Sequence, residues 1–180
     1  MASKIKVDTL ETANGSGTIA LSNQLSGMTT ASLPALGSAQ MPSGSVLQVV
    51  STHTTSSITT SSTSMVATFL IATLTPSSTS SKILVTLSGG RTDSGGGHSA
   101  QVSLHSSIGG ASYAEILPLI ENRNYDAYAY LGMAHSFSYL YSPSTVSSVA
   151  IQPYFKTTAL TNYFNSGSVS ITLTLQEIQG

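Results

Sequence analysis

The sequence predicts an all-β protein, an antiparallel β-sandwich or jelly roll from about residue 45 to 180 behind an extended N-terminal arm. Three features lead there. Val169, Ile171, Leu173 and Leu175 alternate with Ser170, Thr172, Thr174 and Gln176, the period of two that marks a half-buried strand. Clusters of Ser, Thr, Gly and Pro recur at strand spacing, as at residues 75–81 and 142–148, where Pro presets the turn and hydroxyls bond nearby backbone. No stretch repeats at helical spacing with caps; the nearest, residues 113–120, is interrupted by Pro118.

Taken in order, residues 1–28 read as an arm. Residues 4–10 alternate weakly, 14–17 (Asn-Gly-Ser-Gly) have turn chemistry, and 18–21 form a second short apolar piece. Its apolar side chains are Ile5, Val7, Leu10, Ile19 and Leu21. Residues 29–44, rich in Ser, Gly, Ala and Pro, have too little apolar material for a core and read as a linker.

The body opens with Val46, Leu47, Val49 and Val50, dense enough for a strand buried on both faces. Residues 51–64, nearly all Ser and Thr, read as an exposed edge or loop. Residues 65–74 and 82–88 are expected as two apolar strands joined through the Pro76 turn. Five Gly between positions 89 and 97 predict a loop. Residues 99–105 alternate again.

Charge is the unusual quantity. Six basic and seven acidic residues make 7 % of the chain, whereas 34 Ser and 23 Thr supply most of the polar groups. Six scattered cations cannot displace counterions from a phosphate backbone, so no nucleic-acid partner is expected. The longest apolar stretch, residues 65–74, is about half of what a membrane span needs, so no membrane insertion is expected. The first residues show a positive charge without an apolar run behind it, and no secretory signal is read there. With no Cys, disulfides and thiolate metal sites are excluded.

Three blocks, in order, carry a resemblance. They are residues 4–21 (Lys-Ile-Lys-Val-Asp-Thr-Leu-Glu-Thr-Ala-Asn-Gly-Ser-Gly-Thr-Ile-Ala-Leu) with 25–28, residues 44–50 with 75–85, and residues 141–145 with 170–178. Together they resemble fibre-type virion proteins of tailed bacteriophages infecting marine bacteria and cyanobacteria. The resemblance covers about half the chain; the extended shaft of long fibres is missing, and residues 90–135 match no block. It implies a homotrimer on the particle exterior, tail or neck, docked to other virion proteins through the arm and exposing the β domain. A capsid decoration protein and a carbohydrate-binding module are the alternatives.

Candidate sites are few. Gly15, Gly17 and Ala20 imitate a dinucleotide turn but lack the following helix and acid, so no cofactor is expected. His98 and His105, with Asp93 nearby, match no metal-ligand spacing, although a trimer axis could gather three copies of one His. Residues 97–100 lack the final Gly of a nucleophile elbow, and Glu115, Glu121 and Asp126 are the acids available for glycoside cleavage; no enzyme is expected. All eight Tyr fall between positions 113 and 163. Tyr139 and Tyr141 alternate with Phe137 as core or interface residues. Arg123, Asn124, Tyr125, Asp126 and Tyr128 form a polar, aromatic run suited to contacting a host surface glycan.

Overall fold

A computed structural model describes residues 37, 40–94, 98–123 and 131–180, all within one unit, Gly37–Gly180. The arm residues Ile5, Val7, Leu10, Ile19 and Leu21 lie outside the described residues. The strands are β1 (Val46–Thr54), β2 (Ile58–Thr60), β3 (Val66–Ala67), β4 (Ala72–Leu74), β5 (Lys82–Gly89), β6 (Thr92–Ser94) and β7 (Ser99–Ile108). They continue with β8 (Ala114–Arg123), β9 (Leu131–Met133), β10 (Phe137–Tyr141), β11 (Val149–Thr157), β12 (Asn162–Phe164) and β13 (Ile171–Ile178). Among the described residues there is no α-helix, and every strand pairing is antiparallel.

Two large sheets face each other. The first runs β1-β13-β5-β10; the second runs β11-β7-β8, with β3 and β4 both on the outer side of β11. If β3 and β4 count as one interrupted strand, the eight principal strands numbered along the chain read 1-8-3-6 and 2-7-4-5. That order is a jelly roll, one of the two antiparallel all-β architectures expected from the sequence. A small third sheet, β2-β12-β6-β9, adjoins them.

Alternation builds the core. Ile171, Leu173 and Leu175 of β13 and Ile83, Val85 and Leu87 of β5 meet Val102 and Leu104 of β7 and Val149, Ile151 and Phe155 of β11, all at most 1 % exposed. Phe137, Tyr139 and Tyr141 pack against this core from β10. Parity carries the inward face of β13 one step further than its apolar residues, so Glu177 is also fully buried. Val169 precedes the strand and is exposed.

Burial by itself would raise the Glu177 carboxyl, but its hydrogen bonds reverse the effect and hold it below the usual carboxylate range. Ser77 donates to Oε1 from its backbone N at 2.6 Å and its hydroxyl at 2.7 Å. Gln48 Nε2 donates to Oε2 at 2.6 Å and to the Thr75 carbonyl at 2.7 Å. The Ser81 hydroxyl, placed where it also favours the ionised form, closes no hydrogen bond of its own. The network joins β1 and β13 to residues 75–81, the segment that crosses from β4 in one sheet to β5 in the other.

Several elements differ from expectation. β1 is an edge strand: Val46 and Val49 are exposed, and the strand runs on through Thr54 because His53 and Thr54 pair with Thr172 and Ile171. It is not buried on both faces. The expected strand at residues 65–74 is interrupted between β3 and β4, and Pro153 on the facing strand explains why. In an antiparallel pair one residue's N–H and C=O point to the same side. The Pro153 carbonyl accepts from Thr68 N at 3.1 Å and Thr68 Oγ1 at 2.8 Å. The N–H that Thr68 would receive in return does not exist in proline. Gln152 Nε2 fills that place, donating to the Thr68 carbonyl at 2.5 Å with both residues buried.

The Gly-rich segment is not wholly a loop, because Thr92–Ser94 forms β6 between β12 and β9; residues 95–97 lie outside the described residues. Gly90, at φ +70°, turns the chain out of β5 where a Cβ would come within 2.7 Å of Ile171. Pro118 sits in a register shift on edge strand β8, where a missing donor is tolerated.

The Gln152 bridge is testable by urea unfolding. Gln152→Ala should cost about 1–3 kcal/mol, since it leaves a buried carbonyl without its donor. A change of only a few tenths would show that the bridge is dispensable.

Candidate functional site

The outer faces of the two sheets have opposite chemistry, and the β11-β7-β8 sheet holds the candidate site. Even-numbered β7 residues point into the core, so Ser99, Gln101, Ser103 and His105 point out. The register places Gln152 and Glu115 on either side of His105, Tyr154 beside Ser103, Lys156 and Glu121 on either side of Gln101, and Arg123 beside Ser99.

An aromatic cluster forms the centre. The His105 ring stacks on Tyr154 with centroids 4.0 Å apart and planes 24° from parallel, and Tyr113 leans on Tyr154 at 6.0 Å. All three are half-buried. His105 Nε2 is fixed by the Ser103 hydroxyl at 2.9 Å. Burial lowers the His105 pKa, opposed by Glu115, while burial and then Tyr154 raise that of Tyr113. Both shifts favour the uncharged ring near neutral pH.

Beside it lies a polar row. Glu121 accepts from the Ser99 hydroxyl and from Gln101 Nε2 at 3.3 Å, and its carboxylate lies 4.0 Å from the Arg123 guanidinium. The Ser99 hydrogen bond lowers the Glu121 pKa most; slight desolvation opposes it, and Gln101 and Arg123 add to the lowering. Two acids, Glu115 and Glu121, balance two bases, Arg123 and Lys156, so the face repels neither charge. Aromatic rings with amide, carboxylate and guanidinium groups in reach suit a neutral, hydroxyl-rich ligand.

Of the receptor-facing residues expected from sequence, Arg123 is at the described end of β8 on this face, whereas Asn124, Tyr125, Asp126 and Tyr128 lie outside the described residues. The two described flanks of residues 124–130 are tied together beneath the face. Asn122 Nδ2 donates to His135 Nε2 at 3.1 Å, and His135 is buried. Desolvation pushes its pKa down to about 4.

The other sequence candidates separate. Asp93 is buried and held by Arg91 Nε at 2.7 Å and the Ser166 hydroxyl at 2.5 Å. His105 belongs to the aromatic cluster, and no three His, Asp or Glu among the described residues are grouped to hold a metal. Glu115 and Glu121 stand opposite β7 positions four residues apart, about 13 Å along the strand, beyond the ~5–9.5 Å of a glycosidase pair. Gly15, Gly17, Ala20 and Asp126 lie outside the described residues.

Tyr113, His105 and Tyr154 were not found as a site from sequence, because three different elements supply them. The readable signal was Gln152, Tyr154 and Lys156 alternating with Ile151, Pro153 and Phe155. Compared with known proteins, the chain matches no family model and no curated protein.

The His135 contact sets a pH dependence. A His of ordinary pKa in the unfolded chain and about 4 in the fold takes up protons on unfolding between those values, so stability falls as pH drops from about 6.5 to about 4 and levels off below. The full effect is about 3 kcal/mol. His135→Gln should flatten this part of a stability-against-pH curve; an unchanged slope would assign it elsewhere.

Proposed function

We propose that the protein is a structural protein of a tailed-bacteriophage virion: a short tail fibre of three chains, anchored by residues 1–28 and presenting its sandwich to the host surface. The observation that carries the reading is the charge-balanced outer face where Tyr113, His105 and Tyr154 cluster near Glu121 and Arg123. A jelly roll supports it by analogy only, because viral capsid and lectin domains share that architecture and a fold does not assign a function. The ordered sequence blocks add the virion context. The ligand is a neutral surface glycan, with sugar rings on the aromatic cluster and hydroxyls bonded to Gln101, Glu115 and Glu121.

The same cluster favours a second reading, a soluble carbohydrate-binding module without an anchoring role. Deletion of residues 1–28 separates them. The fibre reading expects a folded protein missing from purified particles, and incorporation at normal copy number would refute it. Particle imaging that found the protein spread over the head lattice would make it a decoration protein instead. Tyr154→Ala should weaken binding of the intact protein to host-surface polysaccharide at least tenfold, about 1.4 kcal/mol; unchanged binding would remove this face from the recognition role.

A further inference from the structure

The outer face of the β1-β13-β5-β10 sheet is built differently. Its register stacks transverse rows: Val46, Ile178 and Lys82; then Val49, Gln176, Leu84 and Leu140; then Ser51, Thr174, Thr86 and Ser138; then His53, Thr172 and Ser88. Lys82, at one end, is the only Asp, Glu, Lys or Arg in these rows, and His53 stands in the last of them. Val46 and Val49 on edge strand β1 and Leu140 on edge strand β10 are 48 %, 55 % and 49 % exposed; with the half-buried Leu84 they make an apolar strip across the sheet that Gln176 interrupts.

The hydroxyl row beside the strip already satisfies itself. Ser51 Oγ pairs with Thr174 Oγ1 at 3.0 Å, and Thr86 Oγ1 pairs with Ser138 Oγ at 3.0 Å. Burying an unpaired hydroxyl is costly, but these can lose water without losing their partners. The adjoining edge strand β1 contains neither a charged residue nor a proline, the usual guards of an open edge.

We infer that this face is the contact between copies of the chain, with the apolar strip and the paired hydroxyl row of one copy packed against another. Charge argues for a second copy as the occupant, since a face whose single Lys lies at its rim packs against its own kind with little charge to strip of water. The opposite face, with Glu115, Glu121, Arg123 and Lys156, would have to strip water from four charges to be buried in the same way. The inference rests on the fibre reading for a copy number of three, but not for the location of the contact.

The test is the mass of the full chain by sedimentation equilibrium, with thermal melting to check folding. Wild type should sediment as three chain masses of 18.5 kDa each. The double variant Val49→Lys with Leu140→Lys should melt normally yet sediment as one. Val146→Lys, an exposed valine in the β10–β11 connection, should keep the assembled mass. A monomeric wild type, an assembled double variant, or equal dissociation by Val146→Lys would each overturn the inference. The fibre reading would still be judged separately, by particle incorporation of the deletion variant.

Because the chain has no Cys, Ser138→Cys gives an independent measurement that needs no disruptive charge. Its maleimide labelling should be at least tenfold slower in the assembly than after dilution to monomer. Equal rates would overturn the inference. So would protection persisting in the monomer, because the face would then be covered without a second copy.

Discussion

A single ionised carboxylate holds the corner where the two sheets of this sandwich are joined. Glu177 is carried inward by the same alternation that buries Leu173 and Leu175, and there it meets donors from β1 and from the β4–β5 crossing. An isolated carboxylate in such a place would be neutralised by the cost of leaving water. Three donated hydrogen bonds, all from uncharged groups, keep it ionised. The crossing segment, the start of β1 and the end of β13 are thereby fixed relative to each other, and the register of the first sheet follows.

The same economy of charge runs through the molecule. Where proline leaves a carbonyl of Thr68 without a donor, an amide side chain supplies one. The buried Asn162 amide donates to the Ser99 carbonyl and to Thr157 Oγ1. Hydroxyls and amides lose less on burial than ions do, and their contacts are little affected by salt. What charge the chain has is therefore informative by position. Four of its charged residues share the outer face that holds the aromatic cluster, whereas the outer face of the other sheet holds one. The proposed function and contact follow this division: recognition is assigned to the charged face and self-packing to the nearly uncharged one.

How much of this was legible in the sequence depends on the range of the interaction. Alternation over residues 169–176 located β13 and its buried side because parity is a local property. The absence of a helical repeat and the spacing of turn residues led correctly to an antiparallel sandwich. The break between β3 and β4 was not legible, because it is caused by Pro153 more than 80 residues away. Val46 to Val50 look doubly buried by composition, yet their strand falls at a sheet edge, and strand order is not written in one strand. For the candidate site, Arg123 could be named from its polar neighbourhood. The Tyr113–His105–Tyr154 cluster could not, since the strand pairing assembles it.

The most direct measurement is the titration of the Glu177 side-chain carboxyl, followed by its carbon chemical shift in the folded protein. Hydrogen bonds from Gln48 and Ser77 outweighing burial require a pKa below the ordinary carboxylate value of about 4.3. By linkage, the stabilisation is then complete above that value and is lost as pH falls through the lower folded one. This window lies below the one set by His135. A Glu177 pKa at or above the ordinary value would mean that burial wins, and that neutral donors do not hold the corner of this fold.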